Sequence, residues 1–187
     1  MTRRGTLILV VGPSGVGKDS IIAGVAERLR DEPRVIFARR LITRPAEAGG
    51  EDHIAVSPAE FVQRRDAGDL MLHWNAHGLD YGLPGELELT LKAGQSIVAN
   101  VSRGVVAAAR QQFAPTIVIA ITASPETLAA RLAGRGRESA DDIDSRLRRA
   151  GAPVDADVII DNDGTLDTAI ERFVAAIRQA IDQPTSL

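Results

Sequence analysis

The nine residues GPSGVGKDS, positions 12–20, constrain this chain more than any other stretch. They follow the apolar run TLILVV (6–11) and open a helical pattern at roughly 18–31. Strand, glycine-rich turn and helix in that order make a cradle for anions. Backbone N–H groups of the turn and of the helix N-terminus face the ligand, and glycines let phosphate oxygens approach closely. Gly12, Pro13, Ser14, Gly15, Val16 and Gly17 form the turn. Lys18 stands at the position whose ammonium reaches the β- and γ-phosphates of a nucleoside triphosphate. The chain has 22 basic residues, only two of them lysine, and one of the two falls at the loop position that needs a lysine. A glycine turn without a ligand is the bland alternative, and the strand–turn–helix context argues against it.

The loop departs from the usual pattern at Asp19, where a serine or threonine normally offers a hydroxyl to Mg²⁺. A carboxylate is also a hard oxygen ligand for Mg²⁺, directly or through water. It would repel a neighbouring phosphate unless the metal lay between them, and Ser20 supplies a hydroxyl nearby. The competing explanation is that Asp19 only complements the positive end of the helix dipole. The metal role is the stronger expectation, which makes this a working variant of the loop.

Short aliphatic runs at 6–11, 35–40, 96–101, 116–122 and 157–161 read as strands, most of them apolar on both faces, as in a parallel sheet covered by helices. Helical patterns fall at about 18–31, 58–67, 84–93, 103–112, 125–134, 139–150 and 165–181. Ser57-Pro58-Ala59-Glu60 has the form of a capping box, and Ser124-Pro125-Glu126 opens in the same way. The alternation predicts one α/β domain with a doubly wound parallel sheet.

Two stretches leave that alternation, and both are cationic. Residues 39–56 hold Arg39, Arg40 and Arg44 at and beyond a strand end, where ligands bind in open α/β sheets. The planar fork of arginine suits phosphate oxygens. His53, His73, His77 and Tyr81 flank the same half of the chain, but their spacing matches no standard metal motif. Residues 131–149 hold Arg131, Arg135, Arg137, Arg146, Arg148 and Arg149. Arg135, Arg137 and Arg146 could close over transferring phosphates as a lid. The interleaved Asp141, Asp142 and Asp144 suit an exposed helix of mixed charge equally well.

A net charge of −3 and six aromatic residues speak against a nucleic-acid binder or a stacking platform for single strands. The absence of cysteine removes disulfides and thiolate metal sites. The basic start MTRRG is followed by too short an apolar run for a signal peptide, and no run reaches transmembrane length. The expectation is a cytoplasmic protein without membrane or nucleic-acid partners.

In order, GPSGVGKDS, TRPAEAGGEDHIAVSPAEF, HGLDYG, RLAGRGRESADDIDSRL and VIIDNDGTLDTA resemble the guanylate kinase family across nearly the whole chain. The resemblance implies one P-loop kinase domain over 1–187. It would carry an acceptor-binding insertion at about 39–93 and an arginine-bearing lid at about 131–149. It implies ATP as phosphoryl donor with Mg²⁺, Asn162 at the ATP site, and Arg135, Arg137 and Arg146 beside Lys18 as catalytic groups. A homodimer is open to it.

The departures lie where guanine would be read. Leu72 stands where a base-binding glutamate is expected and Leu83 where a hydroxyl residue is expected. Val101-Ser102-Arg103-Gly104 replaces an Asp–Val–Gln–Gly stretch, and His53 replaces a phosphate-binding tyrosine. A site lacking buried polar partners for a base cannot select that base strongly. GKDS, FARRLITRP, GGEDH and HGLDYG are similar to the branch of the family that phosphorylates ribose 1,5-bisphosphate in phosphonate degradation. That resemblance implies a sugar bisphosphate as acceptor, held by Arg39, Arg40, Arg44, His53, Tyr81 and Arg103. Its reaction needs no general base, because the acceptor phosphate is already ionised. The alternatives are guanylate kinase itself and a non-catalytic interaction module, and the retained Lys18 and lid arginines count against the second.

Overall fold

The computed structural model describes residues 3–48, 51–133 and 155–182. Its centre is a five-stranded parallel sheet ordered β2–β7–β1–β8–β9. The strands are β1 (Leu7–Val11), β2 (Val35–Phe37), β7 (Ser96–Asn100), β8 (Thr116–Thr122) and β9 (Val158–Asp161). β1 pairs with β7 on one side and β8 on the other, and all five of its residues are fully buried. Alternate side chains of LILVV enter opposite layers, as the two-residue period of a strand requires. Ile8 and Val10 join a core with Ile21 and Val25 of α1 (Lys18–Arg28) and Phe173 and Ile177 of α6 (Leu166–Asp182). Leu7, Leu9 and Val11 join a second core with Leu87 and Leu91 of α3 (Leu87–Lys92) and Val106 and Ala109 of α4 (Val106–Gln112). The chain is therefore a doubly wound α/β protein, and a helix on each face explains why its strands are apolar on both sides. Among the described residues no helix is long and apolar enough to cross a membrane.

Between β2 and β7 the chain builds a second sheet, ordered β4–β3–β6–β5. β3 (Leu41–Ile42) and β4 (Ile54–Ala55) are two-residue pieces, whereas β5 (Leu70–Ala76) and β6 (Leu79–Pro84) form an antiparallel hairpin. Its turn is His77-Gly78, both with positive φ (54° and 74°), the geometry that matches strand twist in a tight hairpin. The pairing sets Trp74 opposite Tyr81 and Ile42 on the other flank of Tyr81.

α2 (Pro58–Asp66) covers this sheet through Phe61, which packs with Leu41 and Val56. Its start follows the sequence reading, with the Ser57 hydroxyl accepting from the Glu60 N–H at 3.1 Å and Pro58 in the first turn. The Glu60 carboxylate does not complete the capping box; it accepts from Arg64, four residues on. The start of α5 (Pro125–Ala133) is capped by Ser124, whose hydroxyl accepts from the Thr127 N–H at 3.2 Å while Asp163 accepts from Ser124 itself.

Candidate active site

The phosphate loop leaves β1 where the chain switches sides of the sheet, the point at which open α/β sheets form their ligand crevice. Gly17 precedes α1 with φ 92°, and a β-carbon there would stand 2.9 Å from the Asn162 amide nitrogen. Gly12 is as constrained, because a β-carbon would lie 2.5 Å from the Ile121 carbonyl oxygen. Only glycine satisfies both positions without moving backbone.

A cleft of about 560 Å³ opens over the loop. Gly12, Pro13, Ser14, Gly15, Gly17, Lys18, Asp19 and Ser20 line one side of it. Arg40 and Arg44, which flank β3, and Trp74 and Tyr81 of the hairpin line the other, together with Asn100 at the end of β7 and Val101, Ser102 and Arg103 after it. The second sheet thus brings a cationic and aromatic wall to the phosphate loop.

The Lys18 ammonium donates to the Gly12 and Pro13 carbonyl oxygens at 2.8 and 3.0 Å, folding back over the loop. Its pKa is lowered to about 8. Burial is the main cause; Arg40 and Arg103 push further down, while Asp19 and Glu51 oppose them. A desolvated ammonium next to two guanidinium groups is a site short of negative charge, and polyphosphate supplies that charge. Burial also lowers the pKa of Arg103.

Asp19 lines the cleft in the first turn of α1. One of its carboxylate oxygens accepts from the Asn100 amide at 3.2 Å, which holds the group at the lip of the loop. No cluster of three or more His, Cys, Asp or Glu side chains suited to a metal exists among the described residues. The three histidines are dispersed: His53 is buried, His73 is exposed on β5, and His77 sits in the hairpin turn beside the cleft.

Arg40, Arg44, Tyr81 and Arg103 of the expected acceptor set reach the cleft; Arg39 and His53 do not line it. Arg39 is exposed and pairs with Asp52 at 2.8 Å. His53 is buried, and its ring nitrogens lie 3.0 Å from the Glu51 carbonyl oxygen and 3.1 Å from that of Arg44. Those contacts fasten the loop that presents Arg44, so His53 supports the wall instead of touching an acceptor. Two residues of the expected ATP set also lie behind the cleft. Val16 is fully buried, and Asn162, 3% exposed, donates its amide to the Val16 carbonyl at 2.7 Å. Arg135, Arg137 and Arg146 lie outside the described residues.

The sequence reading missed several contributors. Arg131 donates to the Val16 and Asn162 carbonyls at 3.2 and 2.8 Å, bracing the loop from below. Asn100 orients Asp19, and Trp74 stacks on Tyr81 with centroids 5.6 Å apart and planes 7° from parallel. Glu51 receives the Arg40 guanidinium through two hydrogen bonds. The His77-Gly78 pair could have revealed the hairpin, and with it Trp74 opposite Tyr81. Nothing local in the sequence pairs Asn100 with Asp19, or Arg131 with Val16.

The chain is similar to several known proteins. The guanylate kinase family model matches residues 4–180. A ribose 1,5-bisphosphate phosphokinase, PhnN, of Acidiphilium cryptum (strain JF-5) is 47% identical over 184 residues, covering 98% of each chain. A bifunctional ribose 1,5-bisphosphokinase-thymidine phosphorylase of Cupriavidus pinatubonensis is 44% identical over all of this chain, which spans 32% of that longer protein. The crystal structure of guanylate kinase from Anaplasma phagocytophilum superimposes with a TM-score of 0.67 over 97% of this chain and 89% of its own, at 20% identity, a likeness of fold.

Proposed function

The chain belongs to the guanylate kinase family, and from that premise we propose that it transfers the γ-phosphoryl group of ATP to ribose 1,5-bisphosphate, giving ADP and 5-phosphoribosyl 1-diphosphate, a step of phosphonate degradation. The observation that carries the reading is the cleft itself. It joins a complete phosphate loop to a wall bearing Arg40, Arg44 and Arg103, with no polar group at Leu72 or Leu83 to read a base. Both leucines are buried, 5% and 0% exposed, and belong to the core that includes Met71 and Leu87. They are packing residues that offer a base no hydrogen bond, which supports an acceptor recognised through its phosphates. The relatives of similar length are named for that sugar bisphosphate, whereas the guanylate kinase likeness is one of fold.

Donor phosphates lie along the amides of residues 14–18, with Lys18 swinging from its two carbonyls to the β- and γ-oxygens. The acceptor phosphate faces them from the arginine side. One of its oxygens bonds to the γ-phosphorus as the bridging β–γ oxygen leaves with the bonding pair, producing ADP. The attacking oxygen is already ionised near neutral pH, so no base is required, and none of the three histidines is needed for proton transfer. The protein contributes alignment and neutralisation of the charge that spreads over the equatorial oxygens. Arg135, Arg137 and Arg146 complete that neutralisation from the lid in this reading.

Mg²⁺ suits the site's chemistry. Asp19 offers a hard oxygen at the cleft lip, and Ser20 a hydroxyl beside it. One carboxylate plus substrate phosphates is the usual protein share of a Mg²⁺ shell. Bound there, Mg²⁺ would supply neutralisation of phosphate charge; Asp19, with Ser20 beside it, would hold the ion, and Asn100 would orient the Asp19 carboxylate.

The decisive experiment is a mass-resolved assay with ATP and either ribose 1,5-bisphosphate, GMP or buffer. A product heavier by one phosphoryl group from the sugar, with kcat/KM well above that for GMP, is expected. Equal or better use of GMP would replace this reading with guanylate kinase.

A further inference from the structure

The sheet order β4–β3–β6–β5 sets four side chains in a row along the acceptor wall. Tyr81, on β6, has Trp74 stacked on its β5 flank. On the β3 side the Arg40 guanidinium carbon lies 5.0 Å from the ring centroid. Glu51 ends the row, taking Arg40 Nε on one carboxylate oxygen at 2.8 Å and Nη2 on the other. Arg40 is 11% exposed at its side chain and Glu51 20%, so the pair is shielded from water.

A guanidinium has two hydrogen-bonding edges. Glu51 fills the side edge, Nε with Nη2. The end edge, Nη1 with the second hydrogen of Nη2, has no protein partner among the described residues, and Arg40 lines the cleft. We infer that Glu51 is a positioning residue for the acceptor: it locks Arg40 by the side edge so that the end edge faces a phosphate of the sugar bisphosphate. The inference rests on the function proposed above.

Two physical effects of Glu51 oppose each other. Its negative charge weakens the attraction Arg40 can offer an anion, while its geometry fixes where that attraction acts. Geometry prevails because the guanidinium is buried: without the carboxylate its side edge would lose its partner, and the group would turn away to recover one. Stacking on Tyr81, itself held by Trp74, restricts the plane of the guanidinium but not its rotation within that plane. The carboxylate supplies that last constraint. An arginine is required because only a two-edged cation can serve Glu51 and a phosphate together.

The experiment is a two-by-two set of variants assayed with ATP and ribose 1,5-bisphosphate. Glu51→Gln should raise the acceptor KM about tenfold with the ATP KM unchanged. Arg40→Lys should raise it as well, because a single ammonium shared between Glu51 and the substrate serves the substrate poorly. Adding Glu51→Gln to Arg40→Lys should then lower the acceptor KM, reversing the sign of its effect. A merely structural role for Glu51 predicts the same sign in both backgrounds. Trp74 is the only tryptophan, so its fluorescence reports whether the wall is intact in each variant. If Glu51→Gln does not fold, Glu51→Asp keeps the charge but shortens its reach, and must still raise the acceptor KM. An unchanged or lower KM in the otherwise native background, or additive effects, overturns the inference. Failure of the native enzyme to use ribose 1,5-bisphosphate at all would instead overturn the proposed function.

Discussion

Replacing Lys18 by methionine should cut transfer severely and, at neutral pH, favour the folded state relative to the native protein. Methionine keeps the length of the side chain and removes the ammonium. In the folded protein Lys18 has a pKa lowered from 10.5 to about 8, chiefly by burial. Between those two values the unfolded chain binds more protons than the folded one, so stability rises with pH across that window. Below pH 8 the full penalty of the buried charge is present. One pKa unit corresponds to about 1.4 kcal/mol, so the penalty is about 3 kcal/mol at pH 7 and falls to about 1 kcal/mol at pH 9.5. The Lys18→Met variant has no such term.

The hydrogen bonds to the Gly12 and Pro13 carbonyls are also lost in the variant. A neutral amine makes them too, so they shift the comparison by an amount with little pH dependence. The measurable quantity is therefore the change in the stability gap. Urea denaturation of ligand-free native protein and Lys18→Met at pH 7 and pH 9.5 should show the native protein gaining about 2 kcal/mol on the variant. A gap constant to within about 0.5 kcal/mol would refute the claim that Lys18 is a desolvated cation. Turnover should drop by about two orders of magnitude or more, the usual loss when a preorganised charge at the transferring group is removed. Near-native turnover in the folded variant would refute the role assigned to the lysine.

Other outcomes test the supports around the loop. Arg131→Ala removes two hydrogen bonds that brace the Val16 and Asn162 carbonyls; it should cost about 1–3 kcal/mol in thermal unfolding and raise the ATP KM more than the acceptor KM. Asp19→Ala should raise the Mg²⁺ concentration for half-maximal activity, with Asp19→Ser partly restoring it; a superimposable Mg²⁺ titration would remove Asp19 from the metal shell. If Arg135, Arg137 and Arg146 act as the proposed lid, their single alanine variants should lose at least tenfold in kcat with ATP affinity little changed, since such a charge acts as transfer proceeds. A loss confined to ATP binding would contradict that role.

The parallel sheet was legible because its three central strands, β7, β1 and β8, are buried on both faces. A run such as LILVV has no polar residue to interrupt it, and TIVIAIT and SIVAN read the same way. The second sheet was not legible from apolar runs. β3 and β4 hold two residues each, and β5 mixes buried Met71 and Leu72 with exposed His73 and Asn75. Such strands exist through their partners more than through their own composition. The predicted helix at 84–93 begins later, at Leu87, because Leu79–Pro84 is committed to the hairpin.

The arginines of the acceptor half show how far a sequence can be read for charge. Arg39, Arg40 and Arg44 are three cations within six residues, and on composition alone each is a phosphate ligand in waiting. Asp52 follows Arg39 by 13 residues and Glu51 follows Arg40 by 11, and the fold returns them as partners. Arg39 is spent on an exposed pair, and Arg40 is half-spent on a shielded one. Arg44 comes within 3.5 Å of the His53 ring nitrogen and keeps a buried Nε without a partner among the described residues. Three equal formal charges have thus become a surface pair, an aimed donor and a partly unsatisfied one. The count of arginines predicted an anionic acceptor, but the unpaired edges decide where its phosphates can sit. Those edges depend on return contacts across 9–13 residues of loop, which β3 and β4 bring together by pairing Leu41 with Ile54.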